Sequence, residues 1–311
     1  MALLATHVER AGFASGTPLA IARCDRSGVI EEHVSGTWPN GPPVTSTDRF
    51  YVASLAKQVT GAALALLVRG GSIDPDLPVA TYVDGLPPWS ASVTPRHLAH
   101  HTAVLPPAGE VEAREPGDWT EDFVLGALAE LSELSSPPGT TYVYSNLGYV
   151  LLARIVAEVS DMPFVQFAAT RLFEPLNIEG IGFLTDLAAQ PQLSLLGPKL
   201  PLIHGDGGLW STAHAFAQWL HHQNLDTLGI ASLVAAPGRL NDGTPVDYGW
   251  GLGLRQHRGQ PLLIHGGEWT GAAAKAVRSP ALGLSIVAMA AGAEFETLNQ
   301  LVAAVLDDMA R

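Results

Sequence analysis

A chain of 311 residues, 47% hydrophobic and 15% charged, is long enough for one large domain with an ample core. A formal net charge of −13 argues against nucleic acid or anionic membrane as a partner, and no run approaches the roughly 18–20 apolar residues of a membrane-spanning helix. A single cysteine, Cys24, leaves no internal disulfide to form.

The apolar start Met1-Ala-Leu-Leu-Ala turns charged within ten residues and does not read as a secretory signal, so the expected location is cytoplasmic. Residues 4–12 read as a short amphipathic helix. Pro18 to Cys24 and Val29 to Gly36 are two strands around the hairpin turn Asp25-Arg-Ser-Gly. Tyr51-Val-Ala-Ser-Leu-Ala-Lys then opens a helix that is apolar nearly all round as far as Arg69 and is closed by Gly70-Gly71, a pattern of central burial. From about 80 to 195 the signals are helical with proline-rich joints. Thr94-Pro95 opens a short helix into His97, His100 and His101, and 105–117 is loop. Helices follow from Thr120, from Leu147 and from Pro163 to Phe173. Residues 188–209 are loop. Ser211 or Thr212 caps a helix to about His222, and Gly207 to Thr212 reads as a tight turn and cap. Strands over Tyr248–Leu254, Leu262–Gly267, Ala272–Arg278 and Leu282–Met289, with short turns between, are expected to be antiparallel, and Glu294 to Arg311 is a terminal helix.

The expected fold is α/β in the α+β sense, a single catalytic domain. An antiparallel sheet built from both chain ends and flanked by helices forms an α/β lobe (1–78 and 200–311). A mainly helical lobe (79–199) closes a cleft against it.

Three stretches carry reactive side chains. Ser54 and Lys57 lie three residues apart at a helix start, so hydroxyl and amine share one face. A lysine on an apolar helix is costly unless paired or used, and an amine beside a serine at a helix N-terminus can activate it as a nucleophile. The same letters also suit an N-cap serine with a lysine reaching solvent. Tyr144-Ser-Asn146, at the entry to a buried helix, offers a phenol and an amide, or simply a core aromatic and an asparagine N-cap. His265-Gly266-Gly267-Glu268-Trp269 ends a strand with glycines that let another backbone or a ligand approach; its other reading is a hairpin turn with a bulge. A backbone N–H there, with that of Ser54, makes a candidate oxyanion hole.

In this order the stretches resemble the serine β-lactamase and penicillin-binding-protein superfamily, in particular the class C-like branch with its esterases, D-aminopeptidases and transacylases. Ser54-Leu-Ala-Lys57 looks like its Ser-x-x-Lys motif, Tyr144-Ser-Asn146 like Tyr-x-Asn, and His265-Gly-Gly267 like the His-x-Gly form of the third motif. Leu98-Ala-His-His-Thr-Ala-Val-Leu-Pro is similar to Leu-Leu-x-His-x-Ser-Gly-Leu-Pro of that branch. The resemblance implies that Ser54 is the nucleophile and that Lys57 and Tyr144 act as base. Asn146 would bind substrate or steady Lys57. His265, Gly266, Gly267, Glu268 and Trp269 would line the substrate site, with the Ser54 and Glu268 amides as the oxyanion hole.

The departures shape the expected substrate. His-Gly-Gly replaces Lys-Thr-Gly, so a fixed cation for a carboxylate is missing, and His265 at its ordinary pKa is only partly charged at neutral pH. Glu268 adds negative charge, and Ala103-Val104 in place of Ser-Gly implies a differently shaped loop. His97 and His101 are spaced i, i+4 but no glutamate lies between them, so neither metal nor cofactor is expected. The expected activity is hydrolysis of small, neutral or cationic esters or amides through a Ser54 acyl-enzyme. The alternatives are acyl transfer to an alcohol or amine, a D-aminopeptidase or amidase, and a non-catalytic binding protein. A small molecule is the expected partner, and oligomeric state is not specified by the sequence.

Overall fold

The computed structural model describes residues 2–106 and 119–309. Its strands are β1 (Leu19–Cys24), β2 (Ile30–Ser35), β3 (Phe50–Tyr51), β4 (Ile181–Phe183), β5 (Leu209–Ser211), β6 (Gly238–Arg239), β7 (Pro245–Val246), β8 (Gly253–His257), β9 (Gln260–Trp269), β10 (Ala272–Ser279) and β11 (Leu284–Ala291). The helices are α1 (Ala2–Arg10), α2 (Ala56–Arg69), α3 (Pro95–Ala99), α4 (Glu121–Glu130), α5 (Asn146–Ser160), α6 (Phe164–Ala168), α7 (Ala213–Asn224), α8 (Ala231–Val234) and α9 (Phe295–Met309).

Both chain ends build one six-stranded sheet in the order β2-β1-β11-β10-β9-β8, antiparallel throughout. The register Ile21↔Ala288 and Ala20↔Met289 separates two faces by the two-residue period of a strand. Leu19, Ile21, Ile286 and Ala288 pack with Leu4 of α1 and with Leu298, Leu301, Val302 and Val305 of α9. Ala20, Ala22, Val287 and Met289 face the other way, into the large core with α2 and α7. Covered on both faces, β11 is buried at every position, which accounts for its unbroken apolar sequence. The α+β architecture expected from the sequence is present, as are the N-terminal hairpin, the buried helix after Ser54 and the terminal helix.

Several elements differ from expectation. Tyr248–Leu254 is not a strand: β8 starts at Gly253, and the preceding residues turn tightly across α2 and α8. A Cβ on Gly61 would lie 2.2 Å from the Trp250 carbonyl oxygen, and one on Gly251, at φ 83°, would lie 2.0 Å from that of Lys57. Glycines there serve backbone contact rather than strand formation. The helix over Pro163–Phe173 divides into α6 and a π-helical turn, Ala169–Phe173. Gly207–Thr212 contains β5, which joins β3 and β4 in a three-stranded sheet; pieces of two or three residues are too short to alternate visibly. The helix expected through His101 ends at Ala99, and His101 turns left-handed at φ 58°. Val104, at the position of the resemblance motif's glycine, also holds φ 60°, a strained conformation for a β-branched residue. Most of the 105–117 loop lies outside the described residues. Among those residues no helix is long and apolar enough to cross a membrane.

The close crossing at α2 gives a direct test. Gly61→Ala pushes a methyl into the Trp250 backbone and should destabilise by about 1–3 kcal/mol. Gly126→Ala in α4, where an added Cβ meets nothing, should stabilise by about 0.5–1 kcal/mol. Urea denaturation of both variants checks the pair; an unchanged midpoint for Gly61→Ala would remove the crossing as a constraint.

Candidate active site

Ser54 lies in a 3-10 turn, Ala53–Leu55, that leads into α2. The turn is entered through Ala53 at φ 45°, a left-handed conformation costing an L-residue roughly 1–2 kcal/mol. Strand β3 fixes the entry: Tyr51 pairs with Trp210, and the Val52 amide donates to the Leu209 carbonyl.

Lys57 is completely buried on the first turn of α2. Its Nζ lies 3.0 Å from Ser54 Oγ, 2.8 Å from Asn146 Oδ1 and 2.9 Å from the Asp206 carbonyl oxygen. The ring of Tyr144 is centred 5.1 Å from Nζ and that of Tyr149 5.6 Å, so aromatic faces cover the cation where no oxygen does. Both structural alternatives for these residues fail here. Leu55, not Ser54, holds the N-cap position of α2, and Lys57 does not reach solvent. Asn146 is the first residue of α5 rather than its cap, and its amide oxygen is committed to Lys57. Tyr144 is 37% exposed and meets the lysine through its ring; the three hydrogen-bond partners of Lys57 do not include its hydroxyl.

Strand β9 supplies the other wall. Its pairing with β8 ends at Ile264, so 265–269 is paired only to β10 and leaves one edge open. A Cβ on Gly267 would sit 2.2 Å from the Val52 carbonyl oxygen and 3.2 Å from Ser54 N, so glycine permits this approach to the serine turn. Gly266 faces the opposite way, onto the ring of Phe295 in α9. Glu268 follows the same alternation: it pairs with Ala273, which belongs to the core under α9, and its side chain is exposed. The Glu268 carboxylate therefore lies on the sheet face turned away from Ser54, and its expected bearing on the acyl group is revised. Trp269 lies on the serine side and donates from Nε1 to the Leu196 carbonyl, 3.1 Å away.

His265 is not a partly charged group on the strand edge. It is buried, with Nε2 2.9 Å from the Tyr248 hydroxyl and Nδ1 2.6 Å from the Gly266 carbonyl oxygen. A carbonyl only accepts, so Nδ1 carries the hydrogen and Nε2 accepts from tyrosine. Burial, with the Lys57 charge behind it, pushes its pKa down to about 3. The residue is neutral at physiological pH and provides no counter-charge for a carboxylate.

Residues outside the expected site set complete the surroundings. Asp206, within Gly205-Asp-Gly-Gly, places its carbonyl on Lys57, and Thr60 Oγ1 anchors the same turn by donating to the Gly205 carbonyl at 2.7 Å. Tyr149 and Tyr248 pack against the lysine and His265, and His101 packs among the tyrosines. The glycine cluster at 205–208 was the available signal for Asp206, and His101 stands at the histidine of the Leu-Leu-x-His-x-Ser-Gly-Leu-Pro resemblance; single tyrosines carry none. His97 Nδ1 accepts from the Thr94 amide in a capping box, and His100 lies between the Tyr248 carbonyl and the Trp250 indole.

Buried neutral histidines link this region to pH. Burial lowers His100 to about 4 and His101 well below the usual range, as it does His265. The unfolded chain takes up these protons near pH 6.5 and the native protein does not, so their stabilisation is complete above that pH and is lost as pH falls toward 4. His100 and His265 should each cost about 2 kcal/mol of stability between pH 7 and pH 5. Urea midpoints at pH 7 and pH 5 test this, and equal midpoints would show that the histidines are not held neutral.

Comparison with known proteins agrees with this geometry. Penicillin-binding protein 4* of Bacillus subtilis is 26% identical over 271 residues, covering 76% of this chain and 59% of that protein. A D-aminopeptidase of Brucella canis is 25% identical over 245 residues, covering 73% of this chain and 47% of its own length. The chain thus spans about half the length of the curated relatives it matches. The penicillin binding protein from Bacillus halodurans superimposes with a TM-score of 0.80 at 20% identity, over 97% of this chain and 98% of that one, which shows a shared fold. Residues 14–307 match the family model described as Beta-lactamase, and the chain belongs to that family.

Proposed function

We propose that the protein is a serine hydrolase acting on small esters through an acyl-enzyme on Ser54. The observation that carries this reading is the partner set of Lys57. Two of its three partners, the Asn146 amide oxygen and the Asp206 carbonyl, can only accept, whereas the Ser54 hydroxyl can also donate. The reactive form in this proposal is the neutral amine, which keeps two N–H bonds on the obligate acceptors and turns its lone pair to the serine proton. Loss of that proton to Lys57 leaves Ser54 Oγ free to attack an ester carbonyl. The developing oxyanion is held by backbone N–H groups of the Ser54 turn and of the open β9 edge at Glu268. The alkoxide leaves with a proton returned from Lys57, with Tyr144 beside it at the cleft. Water, activated by the same pair, then releases the acid. The site draws on both lobes expected from the sequence: Ser54 and Lys57 come from 1–78, Asp206 and β9 from 200–311, and Tyr144 and Asn146 from 79–199.

Neutral acyl groups suit a site whose third-motif histidine is buried and uncharged. A second reading, an amidase acting on D-amino acid derivatives, is favoured by the similarity to a D-aminopeptidase. Glu268 is a poor ammonium ligand for it, because its side chain lies on the far face of β9. Acyl transfer to an alcohol or amine uses the same residues and differs only in the acceptor.

Intact-protein mass after incubation with activated esters and a fluorophosphonate should show one adduct on the wild type and none on Ser54→Ala. Lys57→Ala should lower kcat/KM for the best ester by about 10²–10⁴. The acyl-enzyme lifetime with and without added amine sorts hydrolysis from transfer. A folded protein that no probe labels would sink the catalytic reading.

A further inference from the structure

His101 takes part in neither the lysine triad nor the β9 wall, yet it is 2% exposed and touches four tyrosines. Its backbone carbonyl accepts from the Val143 amide at 2.8 Å, and its Nδ1 accepts from the Ser145 amide at 3.2 Å. These amides flank Tyr144 on both sides. The imidazole also stacks on the Tyr144 ring at 4.3 Å between centroids, 39° apart in plane. One residue thus grips the backbone before and after Tyr144 and supports its ring. The left-handed φ of 58° places carbonyl and side chain on the same neighbour.

Among the described residues the backbone amides on both sides of Tyr144 are held by His101. Ser145, in the N-cap position of α5, makes no side-chain capping bond and sends its hydroxyl to the Pro106 carbonyl. The grip requires a neutral ring with a lone pair on Nδ1, because a protonated imidazole presents donors only. That state is favoured by burial and by the nearby Lys57 charge; His265 and His100, both held neutral, and Tyr142, Tyr144, Tyr149 and Tyr248 are the other titratable groups around it. Nε2 then carries the hydrogen, and among the described residues it has no hydrogen-bond partner, which fits a ring enclosed by aromatic faces.

We infer that His101 is the positioning residue of the Tyr144–Asn146 segment: its Nδ1 and carbonyl clamp the Ser145 and Val143 amides, holding Tyr144 and Asn146 against Lys57. This rests on the proposed role of Tyr144 for its kinetic consequence, but the clamp itself is separable from it.

Two variants divide the contributions. His101→Phe keeps a ring and removes the acceptor; His101→Asn restores an acceptor near the Nδ1 position and tolerates a left-handed φ. With the best ester, His101→Phe should lower kcat by about 10- to 100-fold with little change in KM, and His101→Asn should recover most of it. Hydrogen exchange at the Ser145 amide should accelerate in His101→Phe and stay slow in His101→Asn. Equal kcat loss in both folded variants, or unchanged kcat in His101→Phe, overturns the inference. A wild-type measurement covers a variant that does not fold: nitrogen-15 histidine NMR at neutral pH should show His101 with Nδ1 unprotonated and Nε2 protonated, and the opposite tautomer overturns the clamp. If Ser54 is never labelled, exchange and tautomer still decide the clamp, so the two failures are distinguishable.

Discussion

The structure depends on one buried amine. Lys57 has no access to water, and a lysine in that state is tolerated only if each hydrogen finds an acceptor. It finds three: the serine one turn before it, the amide that starts α5 and a carbonyl of the 205–208 turn. These partners come from three separated parts of the sequence. The lysine therefore works as a tie between them, and satisfying it fixes where they meet.

Bringing three segments onto one amine requires close backbone approach. Gly61 and Gly251 allow the 249–252 turn to cross α2 at contact distance, and Gly267 lets β9 meet the serine turn. Where glycine is absent the backbone is strained instead, at Ala53 before the serine and at His101 and Val104 beside the Tyr144 segment. Strained conformations persist only where the surroundings over-determine them. Among the described residues, three of the four left-handed positions that are neither glycine, asparagine nor aspartate lie around Ser54 and Tyr144, as expected of a site whose geometry outweighs local preference.

Electrostatics set the character of the cleft. Lys57 is covered by the rings of Tyr144 and Tyr149, and His265 is too deeply buried to hold a proton at neutral pH. The third-motif position thus contributes shape and a hydrogen bond to Tyr248 in place of charge. On the proposed function, a site of this kind discriminates by fit and by hydrogen bonding to the backbone edge of β9.

Much of this was legible in the sequence. Alternating apolar residues marked the paired strands from both chain ends, and the all-round apolar helix after Ser54 marked central burial, because period and composition are local properties. The serine–lysine spacing put two side chains on one helix face whatever the rest did. What the sequence did not carry were contacts between distant segments. The 248–254 stretch has strand-like letters and becomes a turn because its glycines press on α2. Glu268 follows a strand motif closely, and only the register with Ala273 turns its carboxylate away from the serine. His265 has an ordinary imidazole in the sequence and a depressed pKa in the fold, since burial is a property of neighbours. Asp206, Tyr149 and His101 joined the site for the same reason. Local chemistry named a candidate nucleophile, a candidate base and the helix that bears them; tertiary packing alone decided which groups face them and in which charge state.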